Sequence, residues 1–372
     1  MSQNFAGMQG QPIDPAAIRR ILVRAPNWLG DWVMATPALR AIRERFRDAE
    51  IVVLARGVVA SACAGQPVVD RVVRYEPRGA HRSLGARWAL AQALRRERFD
   101  LAVLFPRSFE SALWALASGV RCRLGHRGDA RAWLLTHRLP AVNTRDPRHH
   151  VDLFFDLARA LGVKEDPGPI EYVISDDDRI AAREALHEAG DDGGGPYVAI
   201  HPGVSKAPRG WHPERWEALA SRITKKWGVR LLVLGGPAEE TTAAKIAGAA
   251  GSLGLSLAGK VSLRTAVALI GSSRLLVVND SGAMHMAAAL GVPVVAIFGP
   301  GSPVLTGPWV PAQRFEVITR QFPCSPCKQH FFHECDPAPS GKPYCIETIT
   351  LDEVWGACER LRARTSQTQS WS

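Results

Sequence analysis

The chain has 372 residues, 46% of them hydrophobic, and a formal net charge of +10. That length exceeds what one core usually organises, so two domains are expected, and apolar runs such as 231–234 and 292–298 are far too short to cross a bilayer. The basic balance, with a pI near 9.6, suits a phosphate-bearing substrate or lipid, whereas the lack of a long Lys/Arg block, zinc-finger spacing or aromatic RNA-binding signature argues against nucleic acid.

Residues 1–20 carry Gln, Asn, Gly, Pro and Asp where a secretory signal needs a continuous apolar stretch, so a flexible N-terminus and a cytoplasmic protein are expected. From Ile21 to Phe298 short β-branched runs alternate with amphipathic stretches, the pattern of parallel sheets with crossover helices. Strands are predicted at Ile21–Arg24, Ile51–Leu54, Arg71–Arg74 and Leu101–Phe105, then at Tyr197–Ile200, Arg230–Leu234, Leu275–Val278 and Val294–Phe298. The Asp-Pro-Gly-Pro stretch at 166–169 marks the boundary between two α/β, Rossmann-like doubly wound domains, 21–166 and 167–350. A helix with an apolar stripe at Leu351, Val354, Trp355, Cys358 and Leu361 follows, and then a frayed tail, within 351–372.

Ligands of such sheets bind outside the carboxyl ends of the strands, so the loops after each strand are the candidate sites. In the first, Pro26-Asn-Trp-Leu-Gly-Asp31, Asp31 is either a helix cap and dipole partner or a general base, with Gly30 letting an acceptor approach. Pro37 in the helical stretch that follows predicts a kink. The loop 201–214 offers Ser205, Lys206 and Arg209 to a leaving phosphate, or is a solvated charged loop. In 235–240, Glu239 is suited to ribose hydroxyls, or only complements a helix dipole. The run Asn279-Asp-Ser-Gly-Ala-Met-His285 opens a helix at Gly282, whose orphan amides suit a diphosphate. There Asp280 and Ser281 are otherwise a common cap, and His285 otherwise a satisfied buried histidine.

Cys324, Cys327, Cys335 and Cys345 form a local group within the 322–346 loop, with the spacing of a structural Zn or Fe site, and His330 and His333 are alternative ligands. Cys63, Cys122 and Cys358 read as isolated buried thiols.

The segments 27–31, 279–285 and Phe298-Gly-Pro-Gly-Ser-Pro303 together resemble the ADP-heptose:lipopolysaccharide heptosyltransferases of glycosyltransferase family 9, and 106–113 and 123–127 are closer to the type II enzymes than to type I. The resemblance implies a GT-B fold with its two domains facing across a cleft, an ADP-heptose donor, and an inner-core Kdo/heptose–lipid A acceptor that already bears one heptose. It further implies inversion without a catalytic metal or other cofactor, and peripheral contact with the cytoplasmic face of the inner membrane. By likeness Asp31 is the base, Asp280, Ser281, Gly282 and His285 hold the diphosphate, and Glu239 meets the ribose. Arg209 stands where the family usually has Lys before Trp. Arg107, Arg123 and Arg127, in the acceptor domain, have the chemistry to meet acceptor phosphates or carboxylates.

Two other functions fit the architecture: a non-catalytic nucleotide- or glycan-binding module with Asp31 only a cap, and an epimerase resembling the UDP-N-acetylglucosamine 2-epimerases, whose chemistry needs no second sugar.

Overall fold

The computed structural model describes residues 9–366 apart from 11, 12, 144, 145, 192, 193, 321, 325, 326, 328–330 and 334. The chain forms two compact units, Met1–Val173 and Ile174–Ser372. The first holds six parallel strands: β1 (Arg20–Arg24), β2 (Glu50–Ala55), β3 (Arg71–Arg74), β4 (Leu101–Leu104), β5 (Cys122–His126) and β6 (His137–Leu139). Their order across the sheet is β3-β2-β1-β4-β5-β6. The second holds β7 (Tyr197–His201), β8 (Arg230–Val233), β9 (Gly254–Ser256), β10 (Ser273–Asn279), β11 (Val294–Phe298) and β12 (Phe315–Thr319), again all parallel. Read from β9 to β12, that sheet repeats the order of the first. Each sheet therefore reverses its strand order once, between β1 and β4 and between β7 and β10, and each reversal opens a crevice at the carboxyl ends.

The helices are α1 (Leu29–Met34), α2 (Thr36–Arg45), α3 (Gly57–Cys63), α4 (Leu84–Arg96), α5 (Phe109–Ala117) and α6 (His150–Ala160) in the first unit. The second has α7 (Asp176–Glu188), α8 (Pro213–Trp227), α9 (Glu240–Ala249), α10 (Leu263–Gly271), α11 (Gly282–Ala289), α12 (Pro303–Thr306), α13 (Tyr344–Glu347) and α14 (Leu351–Thr365). In the first unit α4, α5 and the turn 132–134 pack on the face carrying Leu22, Leu54, Ala102 and Leu104. The opposite face, with Ile21 and Val23, is as fully covered. In the second, α8, α9 and α14 cover Val198, Ile200, Val277 and Ile297, and α7, α10 and α11 cover Ala199, Leu276, Val278 and Phe298. Burial on both faces is why these strands are continuously apolar instead of alternating. The stripe predicted on α14 is what docks it, with Val354, Cys358 and Leu361 in the core of the second unit.

Three local differences from expectation have clear causes. Residues 167–173 belong with the first unit, because buried Gln66 accepts from Val173 N at 2.9 Å and donates to its carbonyl at 3.0 Å, while Thr36 Oγ1 accepts from Glu171 N at 3.0 Å. Pro37 does not kink one helix: α1 ends, Ala35 joins, and Pro37 sits in the first turn of α2, where no amide proton is needed. The N-terminal segment has fixed points, since Gln9 pairs with Arg138 beside β6, Asp14 caps a short turn at Pro15–Ala17 and Ile18 is buried. Residues 1–8, 11, 12 and 367–372, part of the expected flexible ends, lie outside the described residues. Among the described residues no helix is long and apolar enough to cross a membrane.

Candidate active site

In the first unit β1 runs into Pro26-Asn27-Trp28, and Asp31 follows in the first turn of α1. At the neighbouring strand end Phe105 to Ser108 lead into α5. These two loops, with His126 from the end of β5 and His150, Leu153 and Phe154 from α6, line a cavity of about 230 Å³ that includes Asn27, Trp28, Asp31 and Arg107. The cavity thus lies at the strand-order reversal of this sheet. His150 Nδ1 is 3.8 Å from Asp31 Oδ1, and both side chains are about 30% exposed.

Two buried arginines shape this crevice. The guanidinium of Arg24, inside β1, donates to Ala25 O at 2.7 Å, Leu54 O at 3.3 Å and Asn27 Oδ1 at 2.8 Å, so it fixes the turn that leads to Asp31. Burial, aided by Arg56, lowers its pKa to about 10, which leaves it charged at neutral pH. Arg131, fully buried, donates to His126 O at 3.0 and 2.7 Å, to Pro106 O at 2.5 Å and to Ser111 Oγ at 2.6 Å. It ties the end of β5 to the loop after β4. Gly125 makes room for it, because a Cβ there would stand 3.0 Å from Arg131 Nη2. His126 is flanked by Pro140 O at 2.9 Å and Leu153 O at 3.3 Å, and burial pushes its pKa down.

The expected acceptor contacts separate. Arg107 lines the cavity and is exposed. Arg127 is exposed just beyond β5, and Gly30 is half-buried in α1 without lining the cavity. Arg123 is a correction: three residues short of the strand end, it donates to Leu134 O at 2.6 Å and Val120 O at 2.5 Å, so its guanidinium serves the backbone of its own loops.

In the second unit the reversal lies between β7 and β10. Asn279, fully buried, donates to Pro202 O at 2.6 Å and accepts from Trp211 N at 3.2 Å, which anchors the loop after β7 to the end of β10. Arg209 Nη2 reaches Asp280 O at 3.2 Å and is ion-paired with the Asp280 carboxylate. Burial raises the Asp280 pKa in spite of that pairing. Gly301 permits the arrangement, since a Cβ there would fall 2.1 Å from Asp280 Oδ2. Ser281 precedes α11 without capping it through its side chain, and its Oγ is buried and without a partner among the described residues. Gly282 begins that helix and His285 is buried one turn on. Glu239 accepts from Gly236 N at 2.8 Å and lies against Gly203, where a Cβ would meet its Cδ at 3.1 Å. Ser205 and Lys206 are exposed. An arginine, a helix start and a buried hydroxyl on one strand end are a set suited to an anion.

Lys342 and Glu347 brace the segment after β7. Lys342 Nζ donates to Gly210 O at 2.8 Å, and Glu347 meets His212 Nε2 at 2.8 Å. The expected metal site has no support among the described residues, where no group of three or more His, Cys, Asp or Glu side chains is arranged to hold a metal ion. Cys324, Cys335 and Cys345 are free thiols. Burial, with the neighbouring Cys324, Cys335 and Cys327 thiols adding to it, pushes Cys345 up to about 11. His330, the alternative ligand, lies outside the described residues. Cys63 and Cys358 are buried as expected, while Cys122 is half-buried.

Two Rossmann-like units, each with polar groups gathered at its own strand-order reversal, define a GT-B glycosyltransferase fold. The description of glycosyltransferase family 9 (heptosyltransferase) matches residues 87–334, and the chain belongs to that family. It is 28% identical to lipopolysaccharide heptosyltransferase 2 of Salmonella typhimurium over 78% of this chain and 85% of that protein. It is 29% identical to lipooligosaccharide heptosyltransferase 2 of Haemophilus ducreyi over 78% and 86%. The solved structure of E. coli ADP-heptose lps heptosyltransferase II superposes with a TM-score of 0.77 at 26% identity, covering 94% of this chain and 99% of that one.

Proposed function

We propose that this enzyme is a type II heptosyltransferase, which moves heptose from ADP-heptose to the inner-core heptose of lipopolysaccharide with inversion at the anomeric carbon. Asp31 accepts the proton of the attacking hydroxyl as the new C–O bond forms, and the bond from the anomeric carbon to the diphosphate breaks to release ADP. Arg209, Ser281 and the amides at the start of α11, from Gly282, take up the charge growing on the leaving diphosphate, with His285 and Ser205 beside it. Asp280 holds Arg209 in place, and Glu239 receives the ribose hydroxyls. Arg107 and Arg127 meet acidic groups of the acceptor, while Gly30 keeps the approach to Asp31 open. The reading calls on no cofactor. It also has the protein work at the cytoplasmic face of the inner membrane, where its acceptor is anchored.

The observation that carries the proposal is Asp31 in the wall of a cavity beside Arg107 at the strand-order reversal of the first unit. The names of the similar proteins supply the donor and acceptor. The test is incubation with ADP-heptose or ADP-mannose and defined inner-core acceptors, with products read by mass and anomeric configuration by NMR. One added heptose on an acceptor that already carries one, with the anomeric centre inverted, is expected. Transfer only to an acceptor lacking heptose overturns the type II assignment, and acceptor-independent turnover overturns transfer.

A further inference from the structure

We propose that the outer surface of α4, α5 and the turn after β5 docks on an anionic lipid bilayer. These three elements pack side by side on one face of the first sheet. Their outward positions carry Leu84 at 82% exposure, Trp88 at 63% and Trp133 at 67%, with Leu113 and Leu116 between them. In a parallel sheet the crossover helices start at the carboxyl ends of the strands. Leu84 and Trp88 in the first turns of α4, Leu113 in α5 and Trp133 just after β5 therefore gather at the same edge as the cavity. The patch is continuous with the cavity rim, because the Trp133 ring lies 6.1 Å from that of Phe109, two residues beyond cavity-lining Arg107.

The charge around this surface decides between occupants. At this edge Arg78, Arg82 and Arg87 stand before and within the first turns of α4, against the exposed Asp129, which accepts from Phe109 N. Arg78 and Arg82 are exposed at the approach to α4, and Arg107 and Arg127 at the approach from the cavity. A second copy of so basic a face would repel it, whereas an anionic headgroup layer matches it, and tryptophan with leucine suits the interfacial depth beneath. The reason for such a surface rests on the proposed reaction, whose acceptor is lipid-anchored. The cavity then opens toward the plane in which the acceptor lies.

The test is sedimentation of the full chain with phosphatidylcholine vesicles, with or without phosphatidylglycerol. Binding to the anionic vesicles, weakened by added salt, is expected. Arg78→Ser with Arg82→Ser should weaken it about thirtyfold, and Trp88→Ala with Trp133→Ala about tenfold or more. All four positions are surface ones, and turnover on an acyl-free, water-soluble acceptor should stay unchanged. Absence of binding, equal binding to neutral vesicles, or variants that bind like the parent overturns the docking surface. So does a concentration-dependent dimer that the tryptophan variants lose, which assigns the patch to a second copy. A chain that binds vesicles but transfers no heptose sinks the reaction alone, and one that transfers to the soluble acceptor without binding sinks the docking alone.

Discussion

His150 Nδ1 stands 3.8 Å from Asp31 Oδ1, and its ring meets Phe154 edge-on, as Phe154 meets Phe105. The carboxylate thus has an imidazole neighbour held by an aromatic ladder that runs along the cavity wall. Asp31→Asn should lower kcat by about 10²- to 10⁴-fold with nucleotide affinity kept. His150→Gln should lower it less, and should add little in an Asp31→Asn background, as expected of a residue acting through another. Steady-state kinetics and calorimetric nucleotide binding check both. Unchanged turnover in Asp31→Asn removes this carboxylate from the mechanism.

The Arg209–Asp280 pair carries a pH signature. Burial raises the folded-state pKa of Asp280 above the ordinary 3.8, so the stability due to this group is complete below that value and declines as pH rises through the folded one. Arg209→Met leaves the carboxylate buried without its cation. It should cost about 3 kcal/mol near neutral pH and steepen the decline, while Asp280→Asn should flatten it. Urea midpoints across the acid range measure the slopes, and identical slopes in all three proteins refute the assignment.

Arg131 is a structural cation that donates to His126 O, Pro106 O, Ser108 O and Ser111 Oγ and has no exposure. Arg131→Met orphans the His126 and Pro106 carbonyls and should destabilise the protein by about 3 kcal/mol. Gly125→Ala, which crowds Nη2, should raise the acceptor KM more than it changes kcat. Thermal unfolding and acceptor titration distinguish these effects, and a fully stable Arg131→Met protein contradicts the first.

Glu353 closes a capping box with Thr350 at the start of α14. Its hydrogen bond to Arg320, followed by those from Thr350, lowers its pKa to about 2 from the ordinary 4.5. Its contribution is therefore present above pH 4.5 and fades as pH falls toward 2. Glu353→Gln should remove that part of the acid sensitivity, cost about 1 kcal/mol at neutral pH and leave turnover unchanged. An acid limb as steep as that of the parent rules the mechanism out.

Eight strands were legible from their apolar, β-branched runs, each observed within two residues of its expected ends at both termini. The four others were not. Cys-Arg-Leu-Gly-His at β5, His-Arg-Leu at β6, Gly-Leu-Ser at β9 and Phe-Glu-Val-Ile-Thr at β12 are short or polar, and three of them lie at sheet edges where burial on both faces is not required. The loops after β1, β7 and β10 were legible because chemistry-bearing residues follow continuous apolar runs. His126, His150 and Arg131 were not, since each joins the first crevice from a distant segment and only tertiary packing reveals it. Arg123 misled for the converse reason: a guanidinium in a loop-rich stretch reads the same whether it faces a ligand or a carbonyl.

The repeated strand order has one further consequence. The crevice between β1 and β4 is built from backbone of residues before Val173 only, and that between β7 and β10 from backbone after it. Under the proposed reaction, what the enzyme decorates and what it consumes are written in separate stretches of its gene. Exchange of the first stretch between relatives redirects the product while the same nucleotide sugar is still used.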